Sequence, residues 1–444
     1  MSPTTPPPSD LKGILKQLGP GLIISANIVG SGELIVTTKV GADVGFALLW
    51  FIILGCLIKV FLQVELGRYT IGKGKSTLEA LNSVPGPRLW VSWLVWCWLI
   101  MFIATFFQLS GMVGGIAGVA RMAGSDFADW IWAFLITTSC AALLFIGRYR
   151  FIEKFSTTMV AGFTVFTIFA VISLYWTDYG ITLSNLKEGL SFRLPDNFTT
   201  AFAAFGVIGV GASELIYYPY WCLEKGYASH VGPNDGSAAW AERAQGWMRV
   251  LRWDAWVSMV IYTGATVAFY LLGAAILHGK DLTVSNDDMI PTLSNLYQTS
   301  FGNLGLGIFL VGATVVLYST IFISTASNAR LSADFLRIGR LVTVETEAHR
   351  QRLIRIACVA LPALYFIFYI SIGQPLTLVI IGSIAQALML PLICFGVIYF
   401  HFTATDSAIK PGKTWMSFLW ISSFLMTSVG IYQLVQVLQK YLQK

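Results

Sequence analysis

The chain has 444 residues, of which 56% are hydrophobic and 12% are charged, and its mean hydropathy is +0.69. Soluble domains carry about twice that charged fraction, so the composition excludes a soluble globular protein and indicates a protein that crosses a membrane many times. The net charge of +6 is ordinary for such a protein and gives no evidence for nucleic-acid binding.

The predicted elements begin with a proline-rich polar tail at 1–18, which we expect to be disordered and cytoplasmic. Eleven apolar runs follow, each long enough for a membrane-spanning helix, which needs about 20 residues. They lie at 19–40, 45–70, 90–122, 128–147, 155–176, 200–224, 252–277, 303–327, 353–372, 375–400 and 414–437. The six cysteines fall within or at the ends of these runs without paired spacing, so neither a disulfide framework nor a thiolate metal cluster is predicted.

The placement of basic residues predicts the orientation. Most of the 29 lysines and arginines lie in alternate loops, beginning with the segment before the first span. Because basic loops remain in the cytoplasm, we expect the N-terminus inside and, after an odd number of crossings, the C-terminus outside. The chain is thus expected to be an integral protein of the cell membrane with the lipid bilayer around it. The sequence does not indicate an oligomeric state.

One short pattern occurs twice. VGSGELI at 29–35 returns as VGASELI at 210–216, with five identical residues. Five predicted spans precede the second copy, so the two copies cross the membrane in opposite directions. This arrangement is typical of a five-plus-five inverted repeat whose first helices, 1 and 6, are discontinuous, as in the LeuT-type (leucine-transporter-type) fold. We predict an all-α membrane protein with a first repeat at 19–176, a second repeat at 199–400 and an additional helix 11 at 414–437.

Both copies contain a glutamate at a depth where a charge costs at least ~2.5 kcal/mol. Irregular backbone survives there only around a cavity or inside protein, so unwinding at the two copies predicts a site for a bound solute. Two converging carboxylates suit a hard cation such as Mg²⁺, Mn²⁺ or Ca²⁺, and the same pair could instead share a proton. The predicted site consists of Glu33 and Glu214, as metal ligands and proton-coupling candidates, with Ser31, Ser213, Gly30, Gly32 and Gly211.

Three segments resemble one transporter family. GPGLIISANIV at 19–29, ALLWFIILGCLIKVFLQVELGRYTIGKGKS at 47–76 and ALMLPLICF at 387–395 are similar to the natural resistance-associated macrophage protein (Nramp) family of proton-coupled divalent metal transporters, which also has eleven spans. The resemblance implies secondary transport of a small inorganic cation by alternating access, with protons as coupling or competing ions. It implies no permanently bound cofactor.

The hallmark motifs of that family are absent. GSGE at 30–33 stands where the family has Asp-Pro-Gly-Asn, and ASE at 212–214 stands where it has Met-Pro-His. Ala212 therefore lacks the soft thioether that favours Mn²⁺ or Fe²⁺ over Mg²⁺ and Ca²⁺. The coordinating glutamine of the family's helix 10 falls on Ser383, with Gln386 one turn away, and these two residues join the predicted site. We expect a divergent relative with an altered substrate.

The alternative substrate is organic. IVGSGELI at 28–35 also resembles the Gly-Ser-Gly break of helix 1 in amino acid, polyamine and organocation transporters, which share the fold. That resemblance implies transport of an amine or an amino acid. An enzyme is not predicted, because the chain shows neither a nucleophile with its base nor a cofactor motif.

Two further charged residues carry structural expectations. Lys59 lies near the middle of helix 2, where we expect it to pair with a carboxylate such as Glu33 or Glu214, with snorkelling or a place in the wall of a cavity as the alternatives. Asp254 lies at the start of a span and is expected to be solvated, with a place in the inner vestibule as the alternative.

Overall fold

The computed structural model describes residues 4–147, 149–195 and 198–442. Nine helices in this part are long and apolar enough to cross a membrane, a shorter apolar helix forms the fifth span, and the sixth span consists of two pieces. In chain order, the spans are α1 (Pro20–Val44), α2 (Leu49–Lys73), α3 (Trp93–Met122), α4 (Asp129–Ile146), α5 (Tyr149–Ser173), α6a (Thr199–Ala204), α6b (Ala212–Glu224), α7 (Ala238–Lys280), α8 (Met289–Ile338), α9 (Glu347–Ile372), α10 (Pro375–Thr403) and α11 (Lys413–Leu442).

Short elements join the spans. A helix at Leu11–Gln17 precedes α1, so this part of the chain differs from the disordered tail that the sequence predicted; its Ile14 is buried. The other connecting elements are helices at Thr77–Ser83, Leu174–Trp176, Leu183–Gly189, Tyr227–Val231 and Ser407–Ile409, and an antiparallel pair of strands, β1 (Arg88–Leu89) and β2 (Val91–Ser92). None of them is large enough to form a separate domain.

The first span lies at the centre of the bundle. In its most apolar window 88% of the residues are buried inside the protein, against 22% for α4. Contacts with α5, α6b, α7 and α8 surround α1, whereas α4 and α11 present large apolar side chains such as Phe134 and Phe424 on the outer surface. A helix buried on all sides has no lipid face, so the polar residues of α1 can only point into the protein.

The interior of α1 is not unwound, and the prediction of a discontinuous first helix is wrong in this respect. Val29–Thr37 forms a π-helix that continues into Thr38–Val44. The wider turn keeps the backbone hydrogen bonds within the helix, which the absence of water in a membrane favours. The two glycines serve close packing instead: a Cβ on Gly30 would lie 1.8 Å from Oγ1 of Thr320, and one on Gly32 would lie 2.8 Å from the carbonyl oxygen of Val207.

The sixth span is interrupted, as the sequence predicted, but the break precedes the expected position at 211–213, because Ala212 and Ser213 are already helical. Helix α6a ends at Ala204, α6b begins at Ala212, and the seven residues 205–211 between them are non-helical and buried. Gly209 adopts a left-handed conformation with φ of +61°, which glycine reaches without steric strain. We call 205–211 the α6 linker.

Asp254 of α7 holds the start of α1, so the expectation of a solvated carboxylate is wrong. Its side chain is only 2% exposed. Oδ1 accepts a hydrogen bond from the amide of Gly19 at 2.8 Å, Oδ2 accepts from the amide of Gly21 at 2.6 Å, and Tyr218 on α6b donates to Oδ2 at 3.0 Å. The carboxylate thereby satisfies amides that the first turn of a helix leaves free.

We expect Asp254→Ala to lower the unfolding temperature of the purified protein, because one buried and one partly buried amide would lose their acceptor, at a loss of about 2 kcal/mol or more. Asp254→Asn keeps acceptor capacity and should fall between this variant and the native chain. The control is Asp126→Ala in the exposed loop after α3. Equal unfolding temperatures for Asp254→Ala and Asp126→Ala, measured in one detergent, would contradict this role.

Candidate functional site

Three spans bring polar side chains together at the first turn of α6b. The carboxylate of Glu214 accepts a hydrogen bond at Oε1 from Nδ2 of Asn27 on α1, at 2.8 Å. A Cβ on Gly211 would lie 2.4 Å from Oε2 of Glu214 and 2.6 Å from Oε1 of Gln386 on α10. Both oxygens therefore lie against the Cα of Gly211, and only glycine leaves space for them.

Gln386 connects α6b to α3. Its Oε1 accepts from the amide of Ser213 at 2.9 Å, and its Nε2 donates to Oε1 of Gln108 at 2.7 Å. These bonds set the orientation of the Gln386 amide, with the oxygen directed at the start of α6b. The α10 side chain thus adds an oxygen beside Glu214.

Asn27 is held in turn by α8. Its carbonyl oxygen accepts from Oγ1 of Thr320 at 2.9 Å, and its Oδ1 accepts from Oγ of Ser324 at 2.9 Å. One turn further along α8, Asn328 accepts from the hydroxyl of Tyr217 on α6b at 2.6 Å. A buried polar cluster therefore extends from α8 through α1 to the carboxylate of Glu214.

Glu33 bonds to other groups. It is fully buried, and its Oε1 accepts from Oγ1 of Thr266 on α7 at 2.6 Å and from the amide of Gly209 in the α6 linker at 3.1 Å. Its Oε2 has no hydrogen-bond partner in the part of the chain that the structure describes. One oxygen of this carboxylate is thus held by two hydrogen bonds, and the other contacts no donor among the described residues.

Lys59 caps the other side of the break, and the expectation that it pairs with a carboxylate is wrong. Its ammonium donates to the carbonyl oxygens of Phe205 at 2.5 Å and Ile208 at 2.7 Å and lies 4.5 Å from the centre of the Phe205 ring. Carbonyls just past the end of α6a have no helical partner, and in the water-free interior of the bundle the Lys59 ammonium satisfies two of them.

The structure brings together part of the predicted site. Gly211, Ser213, Glu214 and Gln386 meet with Asn27, while Glu33 bonds to a different set of groups. Ser383 does not take part through its hydroxyl, which donates to the carbonyl of Val379 in its own helix at 2.9 Å. Among the residues described, no three or more His, Cys, Asp or Glu side chains are grouped as ligands for one metal.

Other predicted residues have packing roles or lie outside the description. Ala212 is the fully buried first residue of α6b. Gly30 and Gly32 let α1 approach α8 and the α6 linker, as described above. The side chain of Ser31 lies outside the described part of the chain.

Sequence reasoning missed Asn27, Gln108 and Thr266. A signal existed for the first two, because each is an amide within a long apolar run, in SANIV at 25–29 and FFQLS at 106–110. Buried amides in membrane helices need partners, so such positions are candidates for a site. Thr266 gave no signal, since threonines are common in spans.

A cavity of about 560 Å³ lies at the far end of α6b. Glu214 and Glu224 are ten residues apart, or about 15 Å along the helix. Ion pairs surround the cavity: Arg337 with Glu79 at 3.1 Å, and Arg330 with Glu224 at 3.0 Å. The hydroxyl of Tyr220 donates to Asp334 at 2.7 Å. The cavity is polar and lies on the same helix as the candidate site.

Comparisons with known proteins agree with this architecture. Solved structures of the manganese transporter of Eremococcus coleocola superpose on the chain, one of them with a TM-score of 0.68 at 15% identity, covering 97% of this chain and 88% of the other. A nucleobase-cation-symport-1 family transporter in a closed conformation gives a TM-score of 0.57 at 14% identity, covering 94% and 92%. These similarities confirm the predicted LeuT-type fold.

Sequence comparisons identify the family. The divalent metal cation transporter MntH of Caldanaerobacter subterraneus subsp. tengcongensis is 28% identical over 349 residues, which is 76% of either chain. An uncharacterized protein of Pasteurella multocida is 23% identical over 386 residues, or 82% of this chain and 81% of its own. The family model described as natural resistance-associated macrophage protein-like matches residues 21–436. The chain therefore belongs to the Nramp family, a family of integral membrane transport proteins and not of enzymes.

Proposed function

We propose that the chain moves a divalent cation across the cell membrane by alternating access, through a site formed by Glu214, Asn27 and Gln386. The observation that carries this proposal is the convergence of a buried carboxylate and two amides where α1, α6b and α10 meet. Oxygens from carboxylates and amides are the ligands of hard divalent cations. In the structure, Nδ2 of Asn27 donates a hydrogen bond to Oε1 of Glu214. An arriving cation replaces this donor when the Asn27 amide rotates and directs its oxygen at the cation.

The cations that this site fits best are Mg²⁺ and Mn²⁺. Mg²⁺ usually keeps several waters and binds through one or two carboxylates, which matches a site with one glutamate and neutral oxygens. Mn²⁺ also accepts oxygen ligands, and relatives of the chain are named as manganese and divalent metal cation transporters. Ala212 lacks the thioether that would favour the softer ions. The proposed site should therefore discriminate less strongly against Mg²⁺ than a site with a methionine at this position.

Glu33 is the group that we assign to proton coupling. Its Oε2 is buried without a partner among the residues described, and its Oε1 contacts the α6 linker at the amide of Gly209. A proton that binds there alters the charge directly beside the linker. Coupling through Glu33 thus needs no histidine within the membrane.

The rival substrate is an amine or an amino acid. The negative charge of Glu214 at the start of α6b opposes a substrate carboxylate and favours a cation, so an organic amine is the stronger form of this alternative. A thermal-shift panel of Mg²⁺, Mn²⁺, Ca²⁺, polyamines and amino acids separates the two. Stabilisation by an organic solute alone would overturn the cation proposal.

We expect Glu214→Gln to reduce Mg²⁺ or Mn²⁺ uptake into proteoliposomes by more than about tenfold, because the only carboxylate of the proposed site loses its charge. Uptake is followed with an ion-sensitive dye inside the vesicles. The matched control is Glu188→Gln, which makes the same change in the exposed helix Leu183–Gly189 and should transport normally. Equal uptake by the two variants, at equal reconstitution, would show that Glu214 does not bind the cation.

We expect Glu33→Gln to separate cation movement from proton movement. The amide oxygen of glutamine can still accept from Thr266 and Gly209, but the side chain can no longer take up a proton. The stimulation of cation uptake by an inward proton gradient should therefore fall by about tenfold, while uptake without a gradient continues at the basal rate. Thr266→Ser, which keeps the hydroxyl, serves as the control. A variant that the gradient stimulates as strongly as the native chain would refute this assignment.

A further inference from the structure

A second pocket, of about 370 Å³, lies where the end of α2, the start of α7 and the loop before α11 meet. Four cationic side chains line it: Arg68, Arg249, Arg252 and Lys410. No aspartate or glutamate is among the residues that line this pocket. We call it the basic pocket.

Among the described residues, Arg68 is the one of these four with a carboxylate at ion-pair distance, and Asp406 lies near enough to Lys410 to attract it electrostatically. Arg68 pairs with Glu65 at 2.9 Å and also donates to the carbonyl oxygen of Ile409. Arg249, Arg252 and Lys410 are exposed and have no carboxylate within ion-pair distance in the described part of the chain. The pocket thus holds an excess of positive charge, and the mutual repulsion of these charges is relieved when an anion binds.

The fold, and not the local sequence, brings the charges together. Gln245 on α7 donates to the carbonyl of Ala408 at 2.9 Å, which fixes the loop of Lys410 against the start of α7. Trp415 on α11 donates to Oε1 of Glu65 at 2.7 Å, so the carboxylate that neutralises Arg68 is fully engaged. A positive-inside bias explains basic loops, but it does not require three separate chain segments to face one cavity.

Aromatic side chains lie next to the basic pocket. Trp415, which lines the pocket, lies 4.8 Å from Phe61 between ring centres, and Phe61 also packs against Trp256 at 5.9 Å and Phe418 at 5.5 Å. Phe418 is 50% exposed, so this cluster reaches the outer surface of the bundle. Tryptophan side chains and basic residues are both typical of the level of lipid headgroups, and the phenylalanines extend the apolar surface away from the pocket.

We propose that the basic pocket binds the phosphate group of an anionic phospholipid, whose acyl chains lie along the aromatic cluster of α2, α7 and α11. Guanidinium groups recognise phosphate by paired hydrogen bonds, and Arg249 and Arg252 lie three positions apart on one helix, where both reach the same ligand. A soluble phosphate has the same headgroup chemistry but no use for the apolar surface. The proposal does not depend on which substrate the chain transports.

The test uses the purified full-length protein in a neutral detergent, titrated with dioleoylphosphatidylglycerol or dioleoylphosphatidylcholine and followed by native mass spectrometry and by thermal shift. We expect the anionic lipid to bind at least about tenfold more tightly than the zwitterionic one, with a preference that declines at high salt. The double variant Arg249→Gln/Arg252→Gln should lose this preference. Lys410→Gln, in an exposed loop, should weaken it in part and covers the case in which the double variant does not fold.

The matched control is Arg352→Gln/Arg355→Gln, which removes two exposed arginines from the start of α9. It should keep the full preference for the anionic lipid. Equal losses in the two double variants, or equal binding of the two lipids by the native chain, would overturn the proposal. Glycerol phosphate tests whether the ligand is a soluble phosphate. If it competes with the lipid at similar concentrations, the assignment to a phospholipid is also overturned.

Discussion

The structure depends on one constraint, the need to satisfy the backbone of the α6 linker in a region without water. A membrane offers no solvent partners for the amides and carbonyls that a broken helix exposes. Lys59 donates to two linker carbonyls, Glu33 accepts from the amide of Gly209, and Gln386 accepts from the amide of Ser213 at the start of α6b. Side chains from α1, α2 and α10 thus replace the missing helical bonds.

Two of the side chains that stabilise the α6 linker, Lys59 and Glu33, are also ionisable. Lys59 on α2 and Glu33 on α1 both contact the α6 linker, so the lysine ammonium and the glutamate carboxylate act on one short segment. A change of charge on Glu33 therefore alters the balance of forces on the linker itself, without any long path through the protein. A break supported only by neutral groups would not respond in this way.

The sequence allowed an interruption of α6 near VGASELI to be predicted, because a glutamate at that depth needs a partner, although the break itself lies at 205–211 and most of the motif is helical. Family resemblance placed the helix 10 ligand at Ser383, with Gln386 one turn away, and of the two it is the Gln386 side chain that contacts the start of α6b. The form of α1 was not predictable in the same way, since Gly30 and Gly32 serve close packing against α8 and the linker as readily as unwinding. Local composition does not separate these two uses of glycine.

The hydrogen-bond partners of buried charged side chains were the second feature that the sequence did not predict. Lys59 stands in a membrane helix, and a carboxylate is the usual expectation for its partner. The actual partners are carbonyls of Phe205 and Ile208, which exist as free acceptors only because α6a ends there. Asp254 presents the same case, since it accepts from amides at the start of α1, more than 200 positions away. Which backbone groups lack a helical partner, and which side chain reaches them, can be identified only from the tertiary fold.

Helix α6b connects the candidate site to the rest of the bundle through three tyrosines. Tyr217 donates to Asn328 on α8, Tyr218 donates to Asp254 on α7, and Tyr220 donates to Asp334 on α8. Because side chains on a helix project in different directions, these bonds hold α6b on more than one side. A displacement of α6b that opens the site must therefore either carry α7 and α8 along or break three buried hydrogen bonds. Breaking these bonds is costly, since each buried group left unpaired loses about 1–3 kcal/mol.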